Sequence, residues 1–347
     1  MDLVTAFGTQ ARACGELGSP LYEALLNRIA ADLERGGASR GVLAGHEDDP
    51  GPSALALRLA GSVHRLVLEG DAPELAMFYP SAGGDWNPRS GWKAFGAVLR
   101  DQPERVRQRL DQAPQTNEIG RAGALMGGLL HIGESHRLPL RLFEMGCSGG
   151  LNLFPDHYFY VDETGAGQGR EDSAVRLDDA WRGRRLTPWK DLQVHERVGG
   201  DIAPVDVNTA DGRLTLMSYV WPDQLARLGR LRDAFEVASE APAEVRRQDA
   251  VSFVRHIAVA DGTTTVLWHS VMWQYLSRAD RSVVTDLVEL IGSTATDSAP
   301  FAHLYLEPTR RTPEASHEFL VVLRLWPSGE SRILGTSAGH GLPTTWE

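Results

Sequence analysis

The feature that most restricts how this chain can fold is a short apolar strand that runs directly into a cluster of small residues. Residues 140–145 read Leu-Arg-Leu-Phe-Glu-Met, and residues 146–150 read Gly-Cys-Ser-Gly-Gly. Small residues allow the backbone to turn tightly at the carboxyl end of a strand and leave room for a ligand. A helix that starts after this turn would offer free N–H groups at the same place. The segment therefore predicts a ligand site, although a tight strand–helix turn without a ligand also needs small residues.

The first 136 residues read as helices. Ser19 and Pro20 mark a helix start, because a hydroxyl that can cap the helix precedes a proline at the first helical position. Ser53 is placed to cap a later helix in the same way. We expect residues 1–136 to form a helical N-terminal cap region.

From residue 137 to residue 347, apolar strands alternate with helices, which predicts an α/β domain with a mostly parallel sheet. The last two predicted strands have no helix between them, so we expect them to form an antiparallel hairpin that closes the sheet. The expected elements are strands at 140–145, 214–220, 264–269, 301–306 and 319–325, helices at 224–238, 243–256 and 279–291, and an irregular insertion at about 157–195.

The composition argues against several classes of protein. The net charge is -11, whereas nucleic-acid binding needs clustered Lys and Arg for phosphate contacts. No apolar run approaches the roughly 20 residues of a membrane span, and the first residues lack the basic and apolar regions of a signal peptide. The two cysteines, Cys14 and Cys147, have neither the spacing of a disulfide framework nor that of a zinc site. We expect a soluble, cytoplasmic protein that has no metal site and acts on a small molecule.

Three known loop patterns can be compared with residues 146–150. The nicotinamide pattern G-x-G-x-x-G needs glycine where the chain has Ser148 and Leu151, and the Gly-Lys-Ser/Thr ending of the Walker phosphate loop is missing. The G-x-S-x-G pattern of a serine hydrolase does match, with Ser148 as the nucleophile and His340 as the late histidine. An α/β-hydrolase places several strands before this turn, and here helices fill that part of the chain. The hydrolase is therefore an alternative hypothesis.

The loop resembles motif I of the class I S-adenosylmethionine-dependent methyltransferases, an acidic residue followed by Gly-x-Gly-x-Gly, with Ser148 in the place of the middle glycine. The resemblance implies a class I methyltransferase-like, Rossmann-like fold. It also implies that Glu144 faces the charged end of the cofactor. The other residues that would contact S-adenosylmethionine are Gly146, Cys147, Ser148, Gly150 and Asn152.

The same resemblance implies an acid at the end of the second strand, where one carboxylate accepts hydrogen bonds from both ribose hydroxyls. Asp201, at the end of the sequence Val-Gly-Gly-Asp, is the first candidate. The long separation from Glu144 requires the insertion at about 157–195. Asp162 is therefore the alternative ribose ligand.

Four further segments extend the resemblance beyond the loop. They are Gln-Thr-Asn-Glu-Ile-Gly-Arg at 115–121, Tyr-Val-Trp-Pro-Asp-Gln at 219–224, His-Ser-Val-Met-Trp-Gln-Tyr-Leu at 269–276 and Leu-Trp-Pro-Ser-Gly-Glu at 325–330. With the glycine loop they resemble a prokaryotic family of unknown function whose members run nearly this whole length. That family implies no established activity.

These segments contain the candidate residues for catalysis and substrate binding. A base is needed only if the methyl acceptor must lose a proton, and the candidates are Glu118, Asp223 and His269. The candidates for substrate binding are Asn117, Arg121, Trp221 and Trp273. Each also has a structural interpretation, such as a helix cap for Asp223, a helix-dipole partner for Glu118, or core packing for His269 and the tryptophans.

The leading hypothesis is methyl transfer from S-adenosylmethionine to a small molecule. Such a transfer is an in-line displacement in which positioning and desolvation provide most of the catalysis. A serine hydrolase is one alternative, and a non-catalytic sensor of a cofactor or metabolite is the other. The pattern of residues determines neither the methyl acceptor nor the oligomeric state.

Overall fold

The computed structural model describes residues 2–49 and 54–347. The predicted cap at Ser53 lies outside these described residues. The α-helices are α1 (Leu3–Glu16), α2 (Pro20–Glu34), α3 (Ala38–Val42), α4 (Leu55–Glu69), α5 (Pro73–Ala76), α6 (Pro88–Asp101), α7 (Pro103–Arg107), α8 (Ala122–Ile132), α9 (Ala210–Ser218), α10 (Leu225–Glu240), α11 (Ala250–Arg255) and α12 (Arg278–Ser293). None of the helices in these ranges is both long enough and apolar enough to cross a membrane.

The strands form a single sheet. They are β1 (Leu140–Met145), β2 (Phe159–Asp162), β3 (Gly167–Gly169), β4 (Arg176–Gly183), β5 (Val194–Asp201), β6 (Glu244–Arg247), β7 (Thr264–Ser270), β8 (Phe301–Thr309), β9 (Glu318–Trp326), β10 (Glu330–Ser337) and β11 (Thr344–Trp346). Their order across the sheet is β3-β2-β4-β11-β10-β9-β8-β7-β1-β5-β6. The α/β class and the mostly parallel sheet predicted from the sequence are confirmed.

The chain divides into two compact units. One unit contains residues 1–116 and 209–229, and it is helical. The other contains residues 117–208 and 230–347, and it holds all the strands of the described residues. Residues 117–136, which the sequence groups with the N-terminal helices, belong to the sheet unit.

The helical unit has an apolar core made by the buried stripes of its helices. The start of α2 is as predicted: the hydroxyl of Ser19 accepts a hydrogen bond from the N–H of Tyr22 at 3.2 Å, and Pro20 is the first helical residue. This hydroxyl satisfies one of the backbone donors that a helix start leaves unpaired. Core residues of this unit include Phe7, Leu25, Ile29, Leu59, Val63 and Phe95.

Five strands of the sheet unit run parallel, in the order β6-β5-β1-β7-β8. Numbered along the chain, these five lie in the order third, second, first, fourth, fifth. The progression therefore reverses beside β1, so the connections that leave β1 and β7 diverge and open a crevice at their carboxyl ends. Beyond β8, the strands β9, β10 and β11 continue the sheet as an antiparallel meander, which confirms the predicted antiparallel hairpin.

Helix α8 is buried along its whole length, since all 11 of its residues are buried. It packs against β4, β8 and β9. The indole Nε1 of Trp181 on β4 donates a hydrogen bond to the carbonyl oxygen of Gly123 on α8 at 2.8 Å. The sequence Ala-Gly-Ala-Leu-Met-Gly-Gly-Leu-Leu-His-Ile is apolar around the whole helix, which is typical of a helix with no solvent-facing side.

The prediction that a helix follows the glycine loop directly is wrong. Two short 3₁₀ helices, Leu151–Leu153 and Pro155–His157, take its place. Pro155 has no N–H and disfavours the helical conformation of Phe154, so a longer helix cannot pass this point without a kink.

The segment at about 157–195, expected to be irregular, contains the strands β2, β3 and β4. Parallel pairing of β2 with β4 and of β4 with β11 joins this segment to the far side of the sheet. Short strands that pair with distant residues carry little local signal, which is why the aromatic and charged residues here read as irregular.

Two assignments between β5 and β7 also need correction. Most of the predicted strand at 214–220 lies in α9, whose start is capped by Thr209 through a 3.0 Å hydrogen bond from the N–H of Gly212. A short apolar run does not distinguish a strand from a buried helix. The predicted helix at 243–256 is divided into the edge strand β6 and the short helix α11, which Asp249 caps.

Candidate functional site

The glycine loop at residues 146–150 follows β1 and bends through three left-handed residues. The φ angles are +73° at Gly146, +53° at Ser148 and +74° at Gly150. Glycine adopts this conformation without steric cost, whereas a serine rarely does. The N–H of Gly146 donates to the carbonyl oxygen of Gly200 on β5 at 2.8 Å, so the loop closes over the end of the neighbouring strand.

Asp201, the predicted ribose ligand, binds the backbone of the loop. Its Oδ2 accepts a hydrogen bond from the N–H of Ser148 at 2.9 Å, and its Oδ1 accepts one from the N–H of Ala203 at 2.8 Å. A carboxylate oxygen can accept more than one hydrogen bond, so this carboxylate retains acceptor capacity.

Asp162, the alternative ribose ligand, organises the turn between β2 and β3. Its Oδ1 accepts hydrogen bonds from the N–H groups of Thr164 and Ala166, both at 2.9 Å, and from the hydroxyl of Thr164 at 2.6 Å. These bonds are typical of an Asx turn, in which the aspartate satisfies the backbone donors of its own loop.

Asn117 and Glu118 lie beside the glycine loop. The Oδ1 of Asn117 accepts hydrogen bonds from the N–H of Gly149 at 3.2 Å and from the N–H of Leu151 at 3.0 Å. The amide Nδ2 of Asn152 donates to the carbonyl oxygen of Glu118 at 3.3 Å. All three polar side chains are buried. Asn117, predicted to bind substrate, thus holds the far side of the loop with its side-chain oxygen.

Glu144, two residues before Gly146, is a buried acid with an altered pKa. Removal from water raises the pKa of its carboxyl group to about 8, although the amide of Asn152 opposes this rise and the charge of Asp201 adds to it. The Oε2 of Glu144 and the Oδ1 of Asn152 have no hydrogen-bond partner in the described part of the chain. Buried polar atoms are normally paired, so these two atoms mark a place where a ligand can bind.

Side chains of the protein already pack against the loop glycines. A Cβ atom on Gly146 would lie 3.0–3.3 Å from the side chain of Met272, and one on Gly150 would lie 2.8 Å from the side chain of Val245. Cys147 is buried, and its removal from water holds the pKa of the thiol well above its usual value. The loop glycines therefore allow close packing, and Cys147 is not an activated thiol.

Arg121 reaches two other segments of the sheet unit. Its Nε donates to the carbonyl oxygen of Gly339 at 3.2 Å, and its Nη1 donates to that of Ser270 at 3.4 Å. This side chain follows Asn117 and Glu118 by only a few residues, and it links the segment before α8 to the end of β7 and to the loop that precedes β11.

His269 lies on the opposite face of the sheet from Glu144. In the parallel register Glu144 pairs with Trp268, so these two side chains share one face, and the next residue, His269, points to the other face. Its Nδ1 lies 2.9 Å from the Oε1 of Glu307, and its ring stacks on Trp273 at 5.2 Å between ring centroids. His269 and Trp273, both predicted site residues, thus form a second cluster.

Asp223 and Trp221 belong to the helical unit. The Oδ1 of Asp223 accepts a hydrogen bond from the hydroxyl of Ser19 at 2.7 Å, and its Oδ2 accepts one from the N–H of Leu21 at 2.9 Å. Asp223 therefore caps α2 from a distant part of the sequence. Trp221 is buried in the core of this unit, with its ring 5.9 Å from that of Tyr22.

The sequence reasoning missed His303 and Glu307 on β8, which complete the cluster around His269. The Nε2 atoms of His269 and His303 are 3.1 Å apart. Part of the signal was present, because His303 and Tyr305 alternate along the predicted strand at 301–306 and so point to one face; Glu307 continues this alternation in the longer observed strand.

A family model described as "Uncharacterized protein conserved in bacteria (DUF2332)" matches residues 4–346. The chain therefore belongs to this bacterial family, and the family resemblance predicted from the sequence segments is confirmed. No curated protein matches the chain. No solved structure matches it. The resemblance to methyltransferases stays a prediction.

Proposed function

We propose that this member of the bacterial family binds S-adenosylmethionine at the 146–150 loop and transfers its methyl group to a small molecule. The observation that carries the proposal is the buried carboxyl group of Glu144, which lies at the end of β1 with one unpaired oxygen. A sulfonium cation is a suitable partner for such a group, because a positive charge favours the ionised carboxylate.

The strand order of the sheet unit supports the proposal. The five parallel strands follow the order of a doubly wound nucleotide-binding fold, and the loop lies where that order reverses. Open α/β sheets bind ligands at this position. An antiparallel extension beyond β8 agrees with the closing hairpin of the methyltransferase-like arrangement.

The residues around the loop fit the polar groups of the cofactor. Glu144 and Asn152 each offer an unpaired acceptor oxygen, and Asp201 offers acceptor capacity for hydroxyl groups. When bound, the cofactor supplies an activated methyl group. Met272 and Val245 fill the space beside two of the loop glycines. Binding of the cofactor would therefore depend on the polar side chains of Glu144, Asn152 and Asp201 and on the loop backbone.

Glu118 is the candidate base of this proposal, because it is buried and adjoins the loop through the bond between its carbonyl oxygen and Asn152. A carboxylate held away from water can accept a proton from an acceptor hydroxyl or amine as the methyl group arrives. Asn117 keeps the loop in place while this happens.

Calorimetry with S-adenosylmethionine tests the proposal. Because the cation lowers the pKa of Glu144 from about 8, binding at pH 7 should release up to about one proton, which titrations in buffers of different ionisation enthalpy measure. We expect Glu144→Gln to weaken binding about tenfold and to abolish the proton release.

Exposed Glu171 provides the matched control, and Glu171→Gln should change neither quantity. Absence of binding heat with both S-adenosylmethionine and S-adenosylhomocysteine, from protein with an intact circular dichroism spectrum, would reject the proposed function.

One observation favours the serine hydrolase as a second candidate. Ser148 has a left-handed backbone with φ of +53°, and a strained turn at the nucleophile is typical of the G-x-S-x-G elbow. A fluorophosphonate probe separates the two candidates, with Ser148→Ala as the control. The methyltransferase predicts no adduct at Ser148, whereas labelling that this variant removes would support the hydrolase.

A further inference from the structure

A cavity of about 350 Å³ lies between α12 and the carboxyl ends of β7 and β8. This is the face of the sheet that carries His269, opposite to the face that carries Glu144. The cavity is large enough for a small metabolite. The lining residues that bear charge or can transfer a proton are His269, Arg281, His303, Tyr305, Glu307 and Arg324.

One oxygen of the Glu307 carboxylate is already bound by the protein. The Oε1 of Glu307 accepts hydrogen bonds from the N–H of Met272 at 3.0 Å and from the N–H of Trp273 at 3.2 Å, and it is 2.9 Å from His269 Nδ1. Its Oε2 is buried and has no hydrogen-bond partner among the described residues, so it can accept from a donor group of a ligand.

The positive charges are less completely satisfied. The Nη2 of Arg281 donates to the carbonyl oxygen of Gln274 at 3.1 Å, but its Nε has no partner, and Arg281 forms no ion pair within residues 2–49 and 54–347. Arg324 pairs with Glu289 at 2.6 Å, a surface pair whose acid is 51% exposed. The cavity therefore has two guanidinium groups, of which Arg281 forms no ion pair with any described residue.

His269 and His303 are linked by a hydrogen bond between their rings. Since Glu307 Oε1 is an acceptor, His269 donates from Nδ1. The Nε2 atoms of the two rings are 3.1 Å apart, so one of them donates to the other. The Nδ1 of His303 is buried and has no partner among the described residues. A hydroxyl group of a ligand, which can both donate and accept, would satisfy this nitrogen.

We propose that this cavity binds a small carboxylate or phosphate, with its anionic oxygens against Arg281 and Arg324 and a hydroxyl group hydrogen-bonded to His303 Nδ1. The arrangement supplies cationic donors for the anion and an unpaired imidazole nitrogen for the hydroxyl group. This inference goes beyond the proposed function, because none of the loop residues lines the cavity. Its test does not depend on whether the protein binds S-adenosylmethionine.

Calorimetry on the full chain at constant ionic strength tests the site with three probes: inorganic phosphate, glycolate, and acetate, which lacks the hydroxyl group. We expect saturable binding of phosphate or glycolate with one site per chain, and weaker binding of acetate. Whichever of the first two binds more tightly identifies the anion. Arg281→Gln should weaken that binding at least about tenfold, because a charge-assisted hydrogen bond is lost.

Arg324→Gln provides a second variant should the first fail to fold, and we expect a similar loss. Arg278, at the exposed start of the same helix, provides the matched control, and Arg278→Gln should leave binding unchanged. Saturating phosphate or glycolate should also shift the ¹⁵N resonance of His303 Nδ1. The proposal is overturned if neither probe binds the intact chain, or if Arg278→Gln weakens binding as much as Arg281→Gln.

Discussion

The carboxyl group of Glu144 is buried at the end of β1, and burial raises its pKa to about 8. An acid whose pKa is higher in the folded state than in the unfolded chain binds protons preferentially when folded. Its contribution to stability is fully present below the unfolded pKa of about 4.5 and is lost as the pH rises towards 8.

We predict that Glu144→Gln removes this pH dependence. Between pH 5 and pH 8, the free energy of unfolding of the wild type should fall relative to that of the variant, by at most about 1.4 kcal/mol per pH unit. Urea titrations at several pH values measure this difference, with exposed Glu171→Gln as the control. A difference that stays constant above pH 6 would show that Glu144 ionises at its usual pKa.

The predicted site residues that lie together come from one continuous segment or from residues next to it. Glu144, Ser148 and Asn152 follow a strand with a clear apolar pattern, and Asn117 and Glu118 lie beside them. His269 belongs to a different cluster because successive strand residues alternate between faces, and only the register shows which face it shares with Glu144.

At the scale of elements, the glycine loop is held by side chains from two directions. Asp201 binds it from β5, and Asn117 binds it from the segment before α8. The hydrogen-bonded donors of the loop are backbone N–H groups, which cost free energy when they are buried without an acceptor. The conformation of the loop therefore depends on residues far away in sequence.

Asn117→Ala should destabilise the protein by about 1–3 kcal/mol, because it leaves the buried N–H groups of Gly149 and Leu151 without their acceptor. Urea denaturation measures the loss. Asn27, exposed on α2, is the control, and its replacement by alanine should change stability by less than about 0.5 kcal/mol. Equal stabilities for the two variants would show that Asn117 does not support the loop.

The elements that the sequence reasoning assigned wrongly are short, and some of them depend on non-local contacts. Residues 214–220 are apolar enough for a strand, but the cap at Thr209 begins a helix there. Strand β6 has only four residues, and it is a strand because it pairs with β5. Local propensity is a weak guide where pairing with a distant strand decides the structure.

At the scale of the whole chain, the sequence predicted the parallel strands β1, β7 and β8 and missed the full extent of the sheet. Helix α12, of ordinary length, separates β7 from β8, so the alternation of strand and helix is visible in the sequence. Strands β4 and β11 help to extend the sheet to 11 strands through a pairing that spans many residues, that of Thr344 with Trp181. The sequence has no local pattern that specifies such a pairing.

Helix α8 packs against several strands of this extended sheet. Two of its glycines allow the helix and the sheet to lie close together. A Cβ atom on Gly127 would lie 1.9 Å from the ring of Trp346 on β11, and one on Gly128 would lie 2.4 Å from the side chain of Leu304 on β8. The two glycines therefore contact strands that are three positions apart in the sheet. Because glycine has no side chain, the helix can lie close to both strands.

We predict that Gly127→Ala destabilises the protein by about 1–3 kcal/mol, although alanine is the better helix former, because the indole ring of Trp346 is rigid and must move. Gly8, within α1, gives the opposite expectation: a Cβ atom there meets nothing within 4 Å, so Gly8→Ala should stabilise its helix by about 0.5–1 kcal/mol. Urea denaturation, followed by the fluorescence of the tryptophans, measures both effects. Since both variants make the same chemical change within a helix, a difference in sign isolates the packing of α8 against β11 from helix propensity. If Gly127→Ala were as stabilising as Gly8→Ala, the close contact between α8 and Trp346 would be refuted.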